Sequence, residues 1–260
     1  MTTLWRFRSW LPIERPVELR RALLDGCLYA PCADDFNDPY DCLPAIEITD
    51  RPIAEQQQKA RQFIRKYDIR SPYDDILMGA ADKGILNQPE YFGQVIKQFL
   101  NEIRKIPIMS FFPSADCPAM WAYYGNSGTG YVLGLDFSTN LPNGSYPLEV
   151  IYKKTRPIID FSLDHLATDH ATQQFINECF LIKHEIWDRE QEHRLTLQDS
   201  KVGYIKLGQD RISDICFGWK ADPELINEIK VLKNQRKFPL NVSQVVCNSG
   251  KYGLQIVPVL

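Results

Sequence analysis

The run Tyr131-Val132-Leu133-Gly134-Leu135-Asp136-Phe137 constrains the fold more than any other segment, because only Asp136 interrupts its apolar character. Successive side chains of a strand point to opposite faces, so such a run must be covered on both sides. It predicts a central strand with packed layers above and below it, and Leu148 to Lys153 reads as its neighbour. Short apolar or alternating runs predict further strands at Ile106 to Phe112, Val202 to Leu207, Ile212 to Phe217, Val242 to Cys247 and Tyr252 to Val259. Helices are predicted from near Pro16 to Gly26, from Cys117 to Gly125 and from Pro223 to Leu232. A longer one is expected from about Leu163 to Ile186, with Phe175, Cys179, Ile182 and Ile186 on one stripe.

These elements alternate without a regular β-α-β rhythm, and the strands crowd into the C-terminal third, which argues for an α+β fold rather than a doubly wound sheet. The 260 residues read as a single domain, 1–260, with a polar helical insertion at about 50–105. Hydrophobic residues at 44% and charged residues at 24% suit a globular chain with its own core. The net charge of −3, with Lys and Arg scattered, provides no stripe for tracking a phosphate backbone, so general nucleic-acid binding is not expected. Nothing in the sequence has the length and apolarity of a membrane span, and the charged, aromatic N-terminus is unlike a signal peptide, so a cytoplasmic location is expected. Seven cysteines, odd in number and without C-x-x-C spacing, read as reduced thiols.

Several familiar chemistries lack their parts. Gly125, Gly128 and Gly130 join a helix to a strand, the reverse of the order needed by a Rossmann turn or P-loop. The four histidines show no H-E-x-x-H spacing, and no Gly-x-Ser-x-Gly elbow anchors a serine triad.

Four segments have a pattern that chemistry can use. In Leu4 to Ser9, Trp5 and Phe7 face one way while Leu4, Arg6 and Arg8 face the other, which sets two arginines side by side. In Glu190 to Leu197, period two puts Glu190, Glu192, Arg194 and Thr196 on one face, opposite the core-directed Leu195 and Leu197. Paired carboxylates suit proton transfer or stabilisation of a cationic transition state. Equally, such a face can be solvated, with Glu192 and Arg194 forming a surface pair of little energetic weight. Met120-Trp121-Ala122-Tyr123-Tyr124 offers rings for stacking or for a core cluster. Phe36-Asn37-Asp38-Pro39-Tyr40-Asp41-Cys42 is a fixed turn, since Asn and Asp before Pro bond nearby backbone amides. Its acids, with Asp34 and Asp35, would need further oxygen ligands to hold a metal.

Taken in order, the aromatic-basic first strand, F-N-D-P-Y-D-C (36–42), M-W-x-x-Y (120–124) and K-x-x-x-W-x-x-E-x-E-x-R-L (183–195) resemble a bacterial family, the domain of unknown function 2971. More distantly, a basic residue on the first strand, a central aromatic motif and a late E-x-E are similar to ADP-ribosyltransferases. That second resemblance implies a split mixed or antiparallel sheet gripping NAD. Arg6 or Arg8 would hold the phosphates, Trp121 or Tyr124 would stack, Glu192 would be catalytic, and Glu190 would position a macromolecular acceptor. A carboxylate there would stabilise the oxocarbenium character that builds as the glycosidic bond breaks. The chain would then be a toxin or phage-defence effector. Two other readings accompany it: a non-catalytic nucleotide-sensing or protein-interaction module in which Glu192 pairs with Arg194, and a metal-dependent nuclease using Asp38, Asp41 and Glu190 or Glu192.

Overall fold

A computed structural model of the protein describes residues 3–10, 15–47, 51–66, 73–86, 88, 97, 100–142, 144–160, 169–197 and 201–259. In chain order its first strands are β1 (Thr3–Arg8), β2 (Cys27–Ala30), β3 (Ala45–Glu47), β4 (Ile108–Phe111), β5 (Tyr131–Asp136), β6 (Leu148–Glu149) and β7 (Ile151–Lys153). They are followed by β8 (Ile158–Asp160), β9 (Ile182–His184), β10 (His193–Thr196), β11 (Gly203–Lys206), β12 (Ile212–Phe217), β13 (Asn241–Cys247) and β14 (Leu254–Pro258). The α-helices are α1 (Arg15–Arg20), α2 (Ile53–Lys66), α3 (Tyr73–Asp82), α4 (Pro118–Tyr123), α5 (Asp169–Phe180) and α6 (Pro223–Gln235). The architecture is α+β with mixed sheets. No helix among the described residues is long and apolar enough to cross a membrane.

The chain divides into two compact units, residues 1–32, 106–150 and 188–260 forming the first, 33–105 and 151–187 the second. The stretch at 50–105 that reads as an insertion belongs to the second unit, together with 33–49 and 151–187.

The first unit is organised by β5. It lies between β1 and β12, antiparallel to both, in a five-stranded sheet ordered β1-β5-β12-β13-β14. Its alternating side chains serve two cores. Tyr131, Leu133 and Leu135 join Leu4, Ile215, Phe217 and the helix residues Leu225, Ile229 and Leu232, whereas Val132 joins Phe7, Cys216, Val245, Met120 and Trp121. Gly134 fits between, because a Cβ there would lie 3.0 Å from the Trp5 ring. The two-sided apolar run thus has the cover on each face that its sequence demands. One β-α-β crossover completes the sheet, with β12 and β13 parallel and α6 between them, opened by Pro223 and by Asp222, which accepts a hydrogen bond from the Glu224 amide at 2.8 Å.

The expectation that Leu148 to Lys153 pairs with β5 is not met. The segment splits into β6 and β7: the Val150 amide donates to Glu192 O at 2.9 Å and the Ile151 amide to Leu181 O at 2.6 Å. β6 therefore pairs with β10, in a sheet ordered β4-β10-β6, and β7 runs parallel to β9 in the second unit.

The long helix expected at 163–186 is also shorter. Its first residues, with His165, lie outside the described residues, and α5 ends at Phe180. Phe175 and Cys179 are buried on one face as anticipated, but β-branched Ile182 is drawn into β9 opposite Ile151 and Ile186 is exposed. Pairing with a strand outcompetes continuation of the helix. In the same unit Gln56 is buried and ties α2 to the chain beyond α3, donating to Arg51 O at 2.6 Å and accepting from the Leu86 amide at 3.2 Å.

Gly26 ends the first helical segment in a left-handed conformation, φ 66°, with its amide bonded to Ala22 O. A Cβ at that position would approach the backbone of Gly208 and Gln209 to 2.3 Å, leaving neither a permitted φ nor room. Gly26→Ala is expected to lower the melting temperature by at least about 4 °C in a thermal unfolding experiment.

Candidate functional site

The residues that the ADP-ribosyltransferase resemblance assigns to an NAD site all belong to the first unit, where most are packed away from water, whereas Asp38 and Asp41 belong to the second. Glu192 and Arg194 form a bidentate fork, Nε to Oε1 at 2.8 Å and Nη2 to Oε2 at 2.9 Å, with the residues 2% and 1% exposed. Glu190 is 2% exposed and accepts a hydrogen bond from Tyr124 Oη at 2.8 Å; the Tyr124 ring stacks on Phe112. The acidic pair does not share one strand face. Glu190 ends a 3₁₀ turn (Glu185–Glu190), Gln191 is left-handed with φ 47°, and β10 begins only at His193. This break turns both carboxylates inward, where an unbroken solvated face was one of the two expectations.

Arg6 is likewise buried. Its Nη2 donates to Tyr29 O at 2.6 Å and its Nη1 to Ser110 O at 3.1 Å, while the guanidinium lies 5.7 Å from the Phe111 ring centroid. Burial and the nearby Arg8 push this guanidinium down to about 9, against the opposing pull of Glu18, Tyr131 and Glu192. Arg8 is half-buried and paired with Glu18. Burial works against its charge as well, but the carboxylate of Glu18 outweighs it and moves Arg8 upward. Trp121 is fully buried, with Nε1 donating to Ala115 O at 2.7 Å and Phe7 packed edge-on against its ring. The structure thus brings Arg6 within electrostatic reach of Glu192 and Tyr124 into contact with Glu190, and it places Trp121 in a core. Cys179 and Cys216 are both pushed up to about 12, first by burial, and stay protonated thiols at neutral pH.

An open concavity lies in the second unit. It has a volume of about 570 Å³, within the usual range for small-molecule sites, and its walls come from the turn at 37–41, from residues 153–157 and from 182–187. Two ties fix its floor. Asp38 Oδ2 accepts from Trp187 Nε1 at 2.8 Å, and buried Asp41 pairs with buried Lys183 at 3.6 Å. Lys183 Nζ also sits 5.1 Å from the Trp187 ring centroid, so the four side chains form one connected set. Asp38 Oδ1 accepts from the Tyr40 amide at 2.9 Å, the local turn bond that an Asn-Asp-Pro sequence favours. Arg104 holds the turn from behind, donating to Asp41 O and Cys42 O and pairing with Asp34. Arg156 holds the next stretch, donating to Leu43 O at 2.7 Å and Pro44 O at 3.3 Å.

Sequence reading singled out Asp38, Asp41, Lys183 and Trp187 as motif residues but assigned them no common cavity. The signal was the spacing itself: two acids three apart on a turn, and a cation and an indole four apart. Lys153 and Arg156, which also line the cleft, carry no local pattern that marks them. As a metal site the turn finds no support, since among the described residues no three His, Cys, Asp or Glu side chains converge, and Asp38 and Asp41 are already engaged by Trp187 and Lys183.

The family model described as a protein of unknown function (DUF2971) matches residues 120–195, which include the Met120 to Tyr124 motif, Lys183, Trp187 and the Glu190 to Leu195 segment. The turn at 36–42 and the first strand lie outside the matched stretch. No curated protein and no solved structure matches the chain.

Removing one partner of a buried ion pair leaves the other unmatched. Glu192→Gln is expected to cost about 3 kcal/mol in chemical denaturation, and the double change Glu192→Leu with Arg194→Met to recover most of it. In the second unit Asp41→Asn is expected to destabilise by a similar amount, roughly 3 kcal/mol, by removing the buried carboxylate charge that faces the Lys183 ammonium.

Proposed function

We propose that the chain is a non-catalytic ligand-sensing module: a small molecule binds in the cleft of the second unit, and the acidic pair of the first unit serves folding. One contrast carries this reading. The carboxylates of Glu190 and Glu192 are held by Tyr124 and Arg194 and are each 2% exposed, whereas the cleft is open and lined by aromatic, aliphatic and cationic side chains. Catalytic carboxylates need at least one oxygen that can approach the reacting carbon, and both oxygens of Glu192 accept from one guanidinium.

The resemblance to ADP-ribosyltransferases assigns the same residues to NAD. In that reading Arg6 or Arg8 grips phosphate, Trp121 or Tyr124 stacks on the ring, and Glu192 acts on the ribose for transfer to a macromolecular acceptor. Its support is the nearness of Arg6 to Glu192 within one unit. Against it, Arg6 spends its Nη groups on backbone carbonyls, and the indole of Trp121 is fully covered. NAD would have to displace the Arg194 fork before meeting Glu192.

Incubation with NAD separates the two. The wild-type protein is expected to release no nicotinamide, with or without cell extract as a source of acceptors. Nicotinamide release that Glu192→Gln abolishes at a temperature where the variant remains folded would sink the sensing proposal and restore the enzymatic one.

A further inference from the structure

Resting on the sensing reading, we infer that the cleft takes a molecule that combines a flat ring with an anionic group, a phosphate or a carboxylate. Of the two acids of the cleft, Asp41 is neutralised by Lys183, whereas Asp38 keeps its charge and accepts from the Tyr40 amide and from Trp187 Nε1. Three cationic side chains, Lys153, Arg156 and Lys183, line the same walls, so the cleft is cationic on balance. Two of them stand at the exposed rim. Arg156 is fixed there by its bonds to Leu43 O and Pro44 O, made through Nε and Nη2, which leaves Nη1 to meet a ligand. A guanidinium pinned in this way gives up little side-chain freedom when it binds an anion.

The apolar half of the cleft favours a ring. Tyr40 is 67% exposed and Ile186 74%, large apolar groups left in water that line the cleft together with the half-buried Trp187. Trp187 is held by Asp38, and the Arg156 guanidinium lies 5.7 Å from the Tyr40 ring centroid, so both aromatic walls are pre-oriented. Pre-oriented aromatic surface beside a fixed cation is the arrangement that binds a ring and its charged substituent together. His184 adds a donor: its Nδ1 accepts from the Ile186 amide at 3.2 Å, which leaves Nε2 to carry the proton of the neutral ring.

The test is calorimetry on the full chain with four probes: adenosine 5′-monophosphate, indole-3-acetate, adenosine and inorganic phosphate. At least one of the two ring-bearing anions is expected to bind about tenfold or more tightly than adenosine and inorganic phosphate. Which of the two it is identifies the anion as phosphate or carboxylate. Lys153→Gln, a change on an exposed side chain that makes no ion pair among the described residues, is expected to weaken that binding about tenfold at an unchanged melting temperature. Tyr40→Ala is expected to weaken it through loss of the ring contact. Adenosine binding as tightly as its monophosphate, with Lys153→Gln silent, would overturn the anionic assignment and leave the sensing reading intact. Failure of all four probes would overturn the ligand class outright, and the NAD assay above tests the sensing reading by a separate readout.

Discussion

Matching buried charge is the constraint around which this structure is arranged. Arg6, Lys183 and Arg194 are all nearly out of contact with water, and a buried cation without acceptors costs more than most single interactions can return. Each is met differently. Arg194 takes the carboxylate of Glu192, two residues away and on its own side of the chain. Arg6 takes main-chain carbonyls from β2 and β4, and so locks β1 to strands outside its own sheet. Lys183 takes Asp41 across a turn that Asp38, Trp187 and Arg104 hold in shape. In each case the polar solution specifies a geometry that apolar packing alone would leave loose.

The division of labour between the units follows. In the first, the buried charges of Arg6 and Arg194 are met by partners drawn from the protein. In the second, the acids are satisfied but cationic and aromatic surface remains at a cleft, and that surplus is what a ligand can use. The segment from Lys183 to Leu195 carries both characters: Lys183 and Trp187 belong to the second unit, and Glu190, Glu192 and Arg194 to the first. A motif that reads as a single string is, in three dimensions, divided between two units.

Much of the framework was legible because it depends on local periodicity. The apolar run at 131–137 implied cover on both faces, Pro118 and Pro223 marked helix starts, and Gly26 marked a stop; β12 and β13 fall where short apolar or alternating runs place them. What escaped reading depends on partners far away in sequence. Nothing near Ile182 says that Ile151 will capture it as a strand, and nothing near Val150 says that β6 and β7 will serve different units. The site shows the same limit. Period two correctly grouped Glu192 with Arg194, but the left-handed Gln191 that sets the direction of Glu190 is a residue for which sequence gives no warning. Asp38 and Asp41 stood out as turn residues; that Trp187 and Lys183 would complete them, with Lys153 and Arg156 at the rim, follows only from the fold.

The interleaving of the two units also bears on how the chain is made. β1 pairs with β5 across more than a hundred residues of sequence, and the first unit is assembled from three separated stretches. During synthesis the opening strand therefore emerges long before its partner, and the second unit, bounded by the first on both sides in sequence, is complete once residue 187 has left the ribosome while β12 to β14 are still to come. Long-range pairing of this kind slows folding and prolongs the exposure of sticky intermediates. The nascent second unit is thus the earliest part able to acquire its native shape, and a ligand settling in its cleft would find it there before the rest of the molecule exists.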